Sequence, residues 1–277
     1  IMGESEERMP LFIKPEKKVN VRDVQNIMRD HFEGTELDMR KDAGAGPFEV
    51  PYRWRPLTWD VDGETYLNER AIATQQTGFS FVAEMRNWLP DPVGGILWFG
   101  VDDANASVYV PMYAGIESAP YEYEQGNGSM LEFSWDAAFW VFNWVSNMSY
   151  TRYNYMIEDV RKAQTELEDK FEKMGPAIDN AASSLYEQDP ALAREFLTDY
   201  SHNQARITVD KWQELGQFLM VKYLDGNIHP EEDGEFLRNE HGNPAPAEFP
   251  GYDEEFYERV LDDAGEKLKM KEFPPEE

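Results

Sequence analysis

The chain has 277 residues, of which 54 are acidic and 26 basic, so its formal net charge is −28. A surface this negative repels polyanions, which argues against nucleic acid and anionic membranes as partners. Cysteine is absent, and this excludes disulfides, thiolate metal sites and a cysteine nucleophile within these residues.

The first predicted zone covers residues 1–125 and mixes one helix with strands. Asn20 is a candidate N-cap for a helix whose apolar residues between Val21 and Met28 recur at helical spacing. We expect this helix to end near Gly34, because glycine permits a left-handed residue after a helix. A stretch rich in glycine, proline, arginine and tryptophan follows and predicts irregular structure.

Three strands are predicted next. Apolar and polar side chains alternate over residues 79–85, with the period of two that is typical of a strand. Residues 94–101 are apolar on both faces, which predicts a central strand buried from both sides. Residues 108–110 are expected to pair with it across the turn at 102–106, and Pro111 indicates an edge strand or a bulge there.

The second predicted zone, residues 126–225, is helical. Residues 137–145 are apolar nearly all round, which indicates a buried helix with Ser134 or Asp136 as its N-cap. A longer amphipathic helix is predicted to follow and to stop at Gly175-Pro176.

Two more helices are predicted in the rest of this zone. Asp189-Pro190 supplies an N-cap and a first-turn proline for one helix, and the apolar residues from Trp212 to Tyr223 mark another. The third zone, residues 226–277, is rich in proline, glycine and acidic residues. We expect it to wrap the surface or to fray.

No part of the sequence predicts a membrane segment. Residues 1–8 are polar and acidic without an apolar signal core. No apolar run approaches the roughly 18–20 residues of a membrane span. We therefore expect a soluble protein, which is cytoplasmic, or exported if a leader has been removed.

Short chemical motifs do not identify a function. The four histidines are scattered without the spacing of a zinc protease, so no metal ion and no cofactor is predicted, although scattered histidines and carboxylates leave a metal site open. The sequence contains no serine-hydrolase elbow and no phosphate-binding glycine loop.

Two acidic clusters are candidate sites. Asp102 and Asp103 follow the predicted central strand, where a carboxylate can meet a substrate ammonium group, and they are the predicted substrate-binding residues. Residues 29–38 gather polar groups around a helix terminus. The alternatives are an ordinary turn for the first cluster and a helix-end hydrogen-bond network for the second.

Four longer strings are more specific than these motifs. They read RDHFEGT at 29–35, QQTGFSFV at 75–82, GGILWFGVDD at 94–103 and FSWDAAFWVFNWVSN at 133–147. In order and approximate spacing they resemble the later half of the dipeptidase A-type family of cysteine peptidases, over about residues 14–226.

The resemblance implies an α+β fold that is part of an αββα sandwich of the N-terminal-nucleophile hydrolase superfamily, with a helical C-terminal region. It also implies hydrolysis of dipeptides by an N-terminal cysteine whose own α-amino group acts as the base. That cysteine and the catalytic arginine of the superfamily belong to a part that precedes this sequence. No catalytic residue is therefore assigned.

The resemblance also implies partners. They are the missing N-terminal part or subunit that carries the cysteine, and a dipeptide substrate; a homo-oligomer is left open. Alone, the chain is predicted to be inactive and poorly stable, because the strand at 96–101 would lose sheet partners. Two alternatives remain, which are a non-catalytic module that binds peptides or sugars with its aromatic surface, and a metal-dependent hydrolase.

Overall fold

A computed structural model describes residues 10–270 of the chain. Residues 1–8, which carry the prediction of a polar start, and residues 271–277 of the third predicted zone lie outside this range. In chain order the elements are α1 (Val21–Met28), β1 (Thr58–Val61), β2 (Glu64–Leu67), β3 (Phe79–Met85), α2 (Asp91–Gly94), β4 (Gly95–Val101), β5 (Val110–Tyr113), α3 (Ala138–Ser149), α4 (Tyr153–Gln188), α5 (Pro190–Lys222), β6 (Glu231–Glu232), β7 (Glu235–Phe236) and α6 (Glu254–Ala264).

The main sheet has three antiparallel strands in the order β3-β4-β5. Phe81 lies opposite Phe99, and Leu97 lies opposite Met112. Strand β3 and the central position of β4 are confirmed. The third strand was predicted at 108–110 but lies at Val110–Tyr113; it contains Pro111 and is an edge strand as expected. The protein is thus α+β, with small antiparallel sheets followed by a helical region.

One face of this sheet packs on a hairpin of two long helices, α4 and α5. A single hydrophobic cluster joins inward side chains of the sheet, such as Val82 and Ile96, to Phe171 of α4 and to Leu197 of α5. Trp212 of α5 is fully buried against Phe142 of α3, with ring centroids 5.1 Å apart. The helices therefore supply the core on which the sheet rests.

The other face of the sheet is uncovered at β3 and the adjoining part of β4 within the described residues. Phe79, Phe81 and Met85 expose 59%, 51% and 78% of their surface, and Leu97 of the central strand exposes 36%. The prediction that residues 94–101 are buried from both sides is therefore wrong for one face. Its apolar pattern is real, but only the β5 side of this face is covered: Val110 and Met112 are buried there, and Phe99 packs against Tyr123.

Two helix predictions are wrong at α4 and α5. The first long helix does not stop at Gly175-Pro176 but runs through both residues to Gln188. The segment beyond the proline is held by tertiary contacts, since Asp179 accepts hydrogen bonds from Arg86 and from the Tyr113 hydroxyl. Such contacts outweigh the lost backbone hydrogen bond of a proline, which costs about 3 kcal/mol.

The two helices predicted after residue 189 form one continuous helix, α5. Its predicted start is confirmed, because the Asp189 side chain accepts a hydrogen bond from the backbone N–H of Ala191. No glycine or proline punctuates the middle of α5 except Gly216, which lies where α5 meets the ring of Trp144. The close packing of the two helices explains why glycine is tolerated there.

Smaller differences concern helix ends. Asn20 caps α1 as predicted, in a reciprocal capping box with Asp23, but the helix ends at Met28 rather than near Gly34. Helix α3 begins after Ala137 without a side-chain cap, so the predicted N-caps Ser134 and Asp136 are wrong.

The structure also contains a hairpin that the sequence reading did not predict. Strands β1 and β2 pair through a turn at Asp62-Gly63, and both turn residues have positive φ. Asp-Gly between alternating side chains is a strong hairpin signal, but no element was predicted for these residues, which follow the stretch interpreted as irregular. Among the helices of residues 10–270, none combines the length and the apolar character needed to cross a membrane.

Candidate functional site

The candidate site begins at the residue that ends the central strand. Asp102 follows β4 directly and has a φ of +64°, the left-handed region that Asp adopts more readily than most residues. In a regular strand, consecutive side chains point to opposite faces. This turn instead buries both carboxylates, since Asp102 exposes 1% of its surface and Asp103 none.

Asp102 has one oxygen occupied and one free. Its Oδ1 accepts a hydrogen bond of 2.9 Å from Nδ2 of Asn143 on α3, and its Oδ2 has no hydrogen-bond partner among the described residues. Burial raises the pKa of this carboxyl from 3.8 to about 7, although the bonds from Asn143 and from the Asp103 backbone act in the opposite direction. Asp102 is therefore a buried carboxyl that titrates near neutral pH and has a free acceptor atom.

Asp103 is hydrogen-bonded at both oxygens. Its Oδ1 accepts from the backbone N–H of Asn105 at 3.1 Å, and its Oδ2 accepts from the Tyr150 hydroxyl at 2.8 Å and from Ser146 Oγ at 3.4 Å. Burial raises the pKa of Asp103, and nearby His31 is the largest influence in the opposite direction. The full set of donors makes Asp103 an anchor of the turn.

The helix-end segment predicted as a separate polar cluster meets this turn. His31 is fully buried, and its Nε2 lies 3.5 Å from the Tyr150 hydroxyl that also binds Asp103. Its Nδ1 lies 3.7 Å from Glu33 Oε1. Burial would raise the pKa of Glu33, but the nearby His31 ring and hydrogen bonds from backbone N–H groups, including that of His31 at 2.9 Å, lower it to about 2. The structure thus brings both acidic clusters of the sequence into one buried network.

A buried ion pair links the histidine segment and the loop after β4 to α4. Arg29, next to the histidine segment, pairs with Glu168 of α4, whose side chain is 2% exposed. The same carboxylate accepts the backbone N–H of Tyr109 at 3.0 Å, and the Arg29 guanidinium lies over the Tyr109 ring. Because each charge is paired and hydrogen-bonded, the pair fixes the loop between β4 and β5 against α4.

The segment before β3 covers the turn. The backbone N–H of Ala73 donates to Asp30, the Gln75 amide donates to Asn147 Oδ1 at 2.9 Å, and the Asp102 N–H donates to the Gly78 carbonyl at 2.8 Å. These three bonds tie the segment to the histidine segment, to α3 and to the backbone of Asp102.

The open cavities lie beside the network rather than within it. A groove of about 560 Å³ runs between α1, β3 and α4, and neither Asp102 nor Asp103 lines it. A cleft of about 310 Å³ is lined by Glu33, Asn105 and Arg161, among others, and borders the network on the histidine side. The charged side chains of the groove are already paired with one another, whereas Asp102 has a free acceptor atom. The buried carboxylates are therefore the better candidate for a binding site than the larger groove.

Both predicted substrate-binding residues therefore lie in the network, but the sequence reading missed their partners on α3. Asn143, Ser146 and Tyr150 recur every three or four residues on a helix read only for its apolar side chains. That spacing places them on one face of the helix. It was the sequence pattern from which a polar contact between α3 and the acidic turn could have been predicted. Among residues 10–270, no three histidine, aspartate or glutamate side chains are arranged to hold a metal ion.

The chain is an α+β protein whose sheet, loop and helices converge on a buried acidic network. A model described as Peptidase family C69 matches residues 2–166, which is more than half of the chain, and the chain belongs to this family. The resemblance read from the four sequence strings is confirmed.

Three curated relatives carry dipeptidase names. A "Probable dipeptidase" of Latilactobacillus sakei is 25% identical over 201 residues, which cover 71% of this chain and 36% of that protein. A "Probable dipeptidase" of Salmonella dublin is 29% identical over 110 residues, or 40% of this chain and 21% of that protein. A "Probable dipeptidase B" of Lactococcus lactis subsp. lactis (strain IL1403) is 24% identical over 127 residues, or 44% and 22%. The chain thus spans between about a fifth and about a third of these relatives.

Proposed function

We propose that this chain is the C-terminal portion of a dipeptidase that hydrolyses short peptides with an N-terminal cysteine. The family and the names of the relatives support a peptidase. The 277 residues contain no cysteine, so the proposed nucleophile belongs to a companion part. The chain alone is accordingly proposed to be inactive.

The uncovered apolar face of β3 and the adjoining part of β4 carries this proposal. Its exposed side chains form a contiguous apolar surface, which is the mark of an interaction site. Two sheets pack face to face about 10 Å apart through such side chains. We propose that a second sheet in the companion part covers this face and completes the αββα sandwich.

The open edge of β3 supports the same partner. Hydrogen bonds from Arg86 to Gly94 and from Asp102 to Gly78 set the alternation of the ladder between β3 and β4. By that alternation, the backbone groups of Phe79, Phe81, Ala83 and Met85 point away from β4. The 560 Å³ groove lies along the same edge. An added strand would pair these backbone groups and fill part of the groove.

The network supplies a candidate contact for the substrate. We propose that Asp102 receives the ammonium group of a dipeptide through its free Oδ2, while Asp103 holds the turn in place. A carboxylate and an ammonium group form a charge-assisted hydrogen bond, which is stronger than a neutral one. In the structure this oxygen is buried, so we propose that substrate entry requires a movement that exposes it.

Intact-mass spectra of the enzyme purified from its source, under denaturing conditions, test the proposal. A companion chain that begins with cysteine, or one longer chain that contains this sequence, is the expected result, together with dipeptide hydrolysis. A lone species of 32.2 kDa with hydrolytic activity would overturn the cysteine mechanism. A native mass of twice that value, measured separately under non-denaturing conditions, would instead indicate a homodimer.

The proposed role of Asp102 is tested in the complete protein. Asp102→Asn is expected to raise the KM for dipeptides about tenfold or more, because a hydrogen bond between charged groups is worth about 1.5–3 kcal/mol. Asp62→Asn is the matched control, since Asp62 is also a left-handed aspartate but lies exposed in the β1–β2 turn. An unchanged KM in Asp102→Asn would end the assignment.

A second function is favoured by one observation. Leu131, Phe133 and Trp135, before α3, expose 99%, 47% and 49% of their surface, and aromatic faces of this kind bind sugars and peptide side chains. A non-catalytic binding module would use this surface. Calorimetry that shows stoichiometric binding of a peptide or sugar, without turnover by the complete protein, would favour this alternative.

A further inference from the structure

Helix α3 carries a polar stripe on an otherwise apolar surface. Asn143, Ser146, Asn147 and Tyr150 are separated by three, one and three residues along the helix, so they share one face. Three of them contact the acidic turn: Asn143 binds Asp102, while Ser146 and Tyr150 bind the following aspartate. The stripe is therefore the surface on which the turn after β4 is held.

A chain of three amides leads along this stripe to Asp102. Gln75 Nε2 donates to Asn147 Oδ1 at 2.9 Å, Asn147 Nδ2 donates to Asn143 Oδ1 at 2.9 Å, and Asn143 Nδ2 donates to Asp102 Oδ1 at 2.9 Å. An ionised carboxylate only accepts hydrogen bonds, so it fixes Asn143 with its NH₂ group inward. The Asn143 oxygen then faces Asn147, and the direction of the whole chain follows.

The amide chain determines which oxygen of Asp102 is free. Asn143 itself is held twice, because Asn147 Nδ2 also donates to the Asn143 backbone carbonyl at 2.8 Å. With Asn143 fixed, the Asp102 carboxyl cannot rotate without losing its hydrogen bond. Its second oxygen then points to the side where no described residue offers a donor.

We propose that Asn143 is a positioning residue for Asp102, oriented by Asn147 and Gln75, and that it aims Oδ2 at the cationic end of the substrate. This inference rests on the proposed function, because it takes Asp102 as the acceptor of the substrate ammonium group. Asn143 does not touch the substrate in this scheme. It acts through Asp102 alone.

The hydrogen bond from Asn143 lowers the pKa of Asp102, against the effects of burial and of neighbouring charge. Removal of its N–H donor leaves burial unopposed by that hydrogen bond, which raises the pKa of Asp102 further. Asp103 is the ionisable neighbour whose negative charge acts in the same direction. The titratable groups around the pair come from α3, from α4 and from the segment after α1: Tyr150, Tyr153, His31 and Glu33.

The test compares Asn143→Ala and Asn143→Asp with the parent in the complete protein, by measuring kcat and KM for a dipeptide from pH 6 to pH 9. We expect KM to rise about tenfold near pH 6 in Asn143→Ala, because a shift of one pH unit in the midpoint changes the ionised fraction tenfold. The ratio of the two KM values should fall toward one near pH 9. Asn143→Asp should show a larger shift, since it adds a like charge.

Two further variants make the result specific. Asn147→Ala leaves the Asn143–Asp102 bond in place and should move the KM midpoint in the same direction by less; it also serves if Asn143→Ala does not fold. Asn203→Ala removes an exposed asparagine of α5 and should change nothing.

A readout without turnover separates this inference from the proposed function. In the complete protein, the pH dependence of the urea unfolding midpoint should differ between Asn143→Ala and the parent. In an Asp102→Asn background a constant difference in midpoint can remain, but the difference in pH dependence should vanish. If KM rises by the same factor at every pH, or if only kcat falls, Asn143 is not a positioning residue. If no variant or parent hydrolyses dipeptides while the unfolding curves shift as expected, the proposed function fails and the effect of Asn143 on Asp102 stands.

Discussion

Replacing Asp102 with asparagine removes a buried charge and changes little else. Asparagine adopts a φ of +64° at least as readily as aspartate, and its side-chain oxygen can still accept the hydrogen bond from Asn143. The variant therefore isolates the cost of ionising this carboxyl in the folded protein.

The size of that cost follows from the shifted pKa. Burial raises the pKa from 3.8 to about 7, and each unit corresponds to about 1.4 kcal/mol. The folded protein thus holds the proton of Asp102 more tightly than the unfolded chain, so stability falls as pH rises from about 4 to about 7 and is level above that. We expect Asp102→Asn to equal the parent near pH 4 and to exceed its free energy of unfolding by up to about 4 kcal/mol near pH 8.

Urea unfolding followed by tryptophan fluorescence, at intervals from pH 4 to pH 8.5, measures this difference. The exposed Asp62→Asn change in the β1–β2 turn is the control, since it makes the same substitution at a left-handed position without removing a charge from a buried site. A difference between Asp102→Asn and the parent that is constant with pH would refute the reasoning. So would a variant that is less stable than the parent at pH 8.

Three further outcomes are expected. Tyr150→Phe removes the 2.8 Å donor to buried Asp103 and should lower the free energy of unfolding by about 1–3 kcal/mol, as measured by urea unfolding at pH 7; a change under 0.5 kcal/mol would contradict the anchor role. Gly216→Ala places a methyl group into the Trp144 ring and should cost about 1–3 kcal/mol in the same assay; a variant as stable as the parent would show that the helices can separate there. Phe81→Ser, on the uncovered sheet face, should leave secondary structure by circular dichroism unchanged but weaken association with the cysteine-bearing part in sedimentation; unchanged association would exclude this face as the contact.

The elements that the sequence predicted well are those whose signals are local. The N-cap at Asn20 and the alternation over β3 depend on residues a few positions apart, and both are confirmed. The uncovered face of β4 could not be predicted, because apolar patterning shows that a face avoids water and not what covers it. The passage of α4 through Pro176 depends on contacts with Arg86 and Tyr113, which lie about ninety and sixty residues away in the chain.

The candidate site was predicted only in part, because only some of its residues are linked by local sequence patterns. Asp102 and Asp103 follow a recognisable strand, and the turn there is visible in the sequence. Their union with His31, which lies about seventy positions earlier, is made by Tyr150, and nothing in local spacing links these segments. The polar stripe of α3 could have been found, since Asn143 and Tyr150 are seven residues apart and therefore on one helical face.

The order of elements along the chain has a consequence for synthesis. The sheet is complete once residue 113 has been made, but the helix that closes the core ends at residue 222. At about 5–20 residues per second, the intervening stretch takes roughly 5–20 s to translate. During that time the sheet lacks the helices that cover its inner face in the folded protein, so the nascent chain shows apolar side chains on both sides. The ribosome-bound intermediate is therefore a strong client for chaperones, and faster completion of the helical hairpin would shorten its exposure to aggregation.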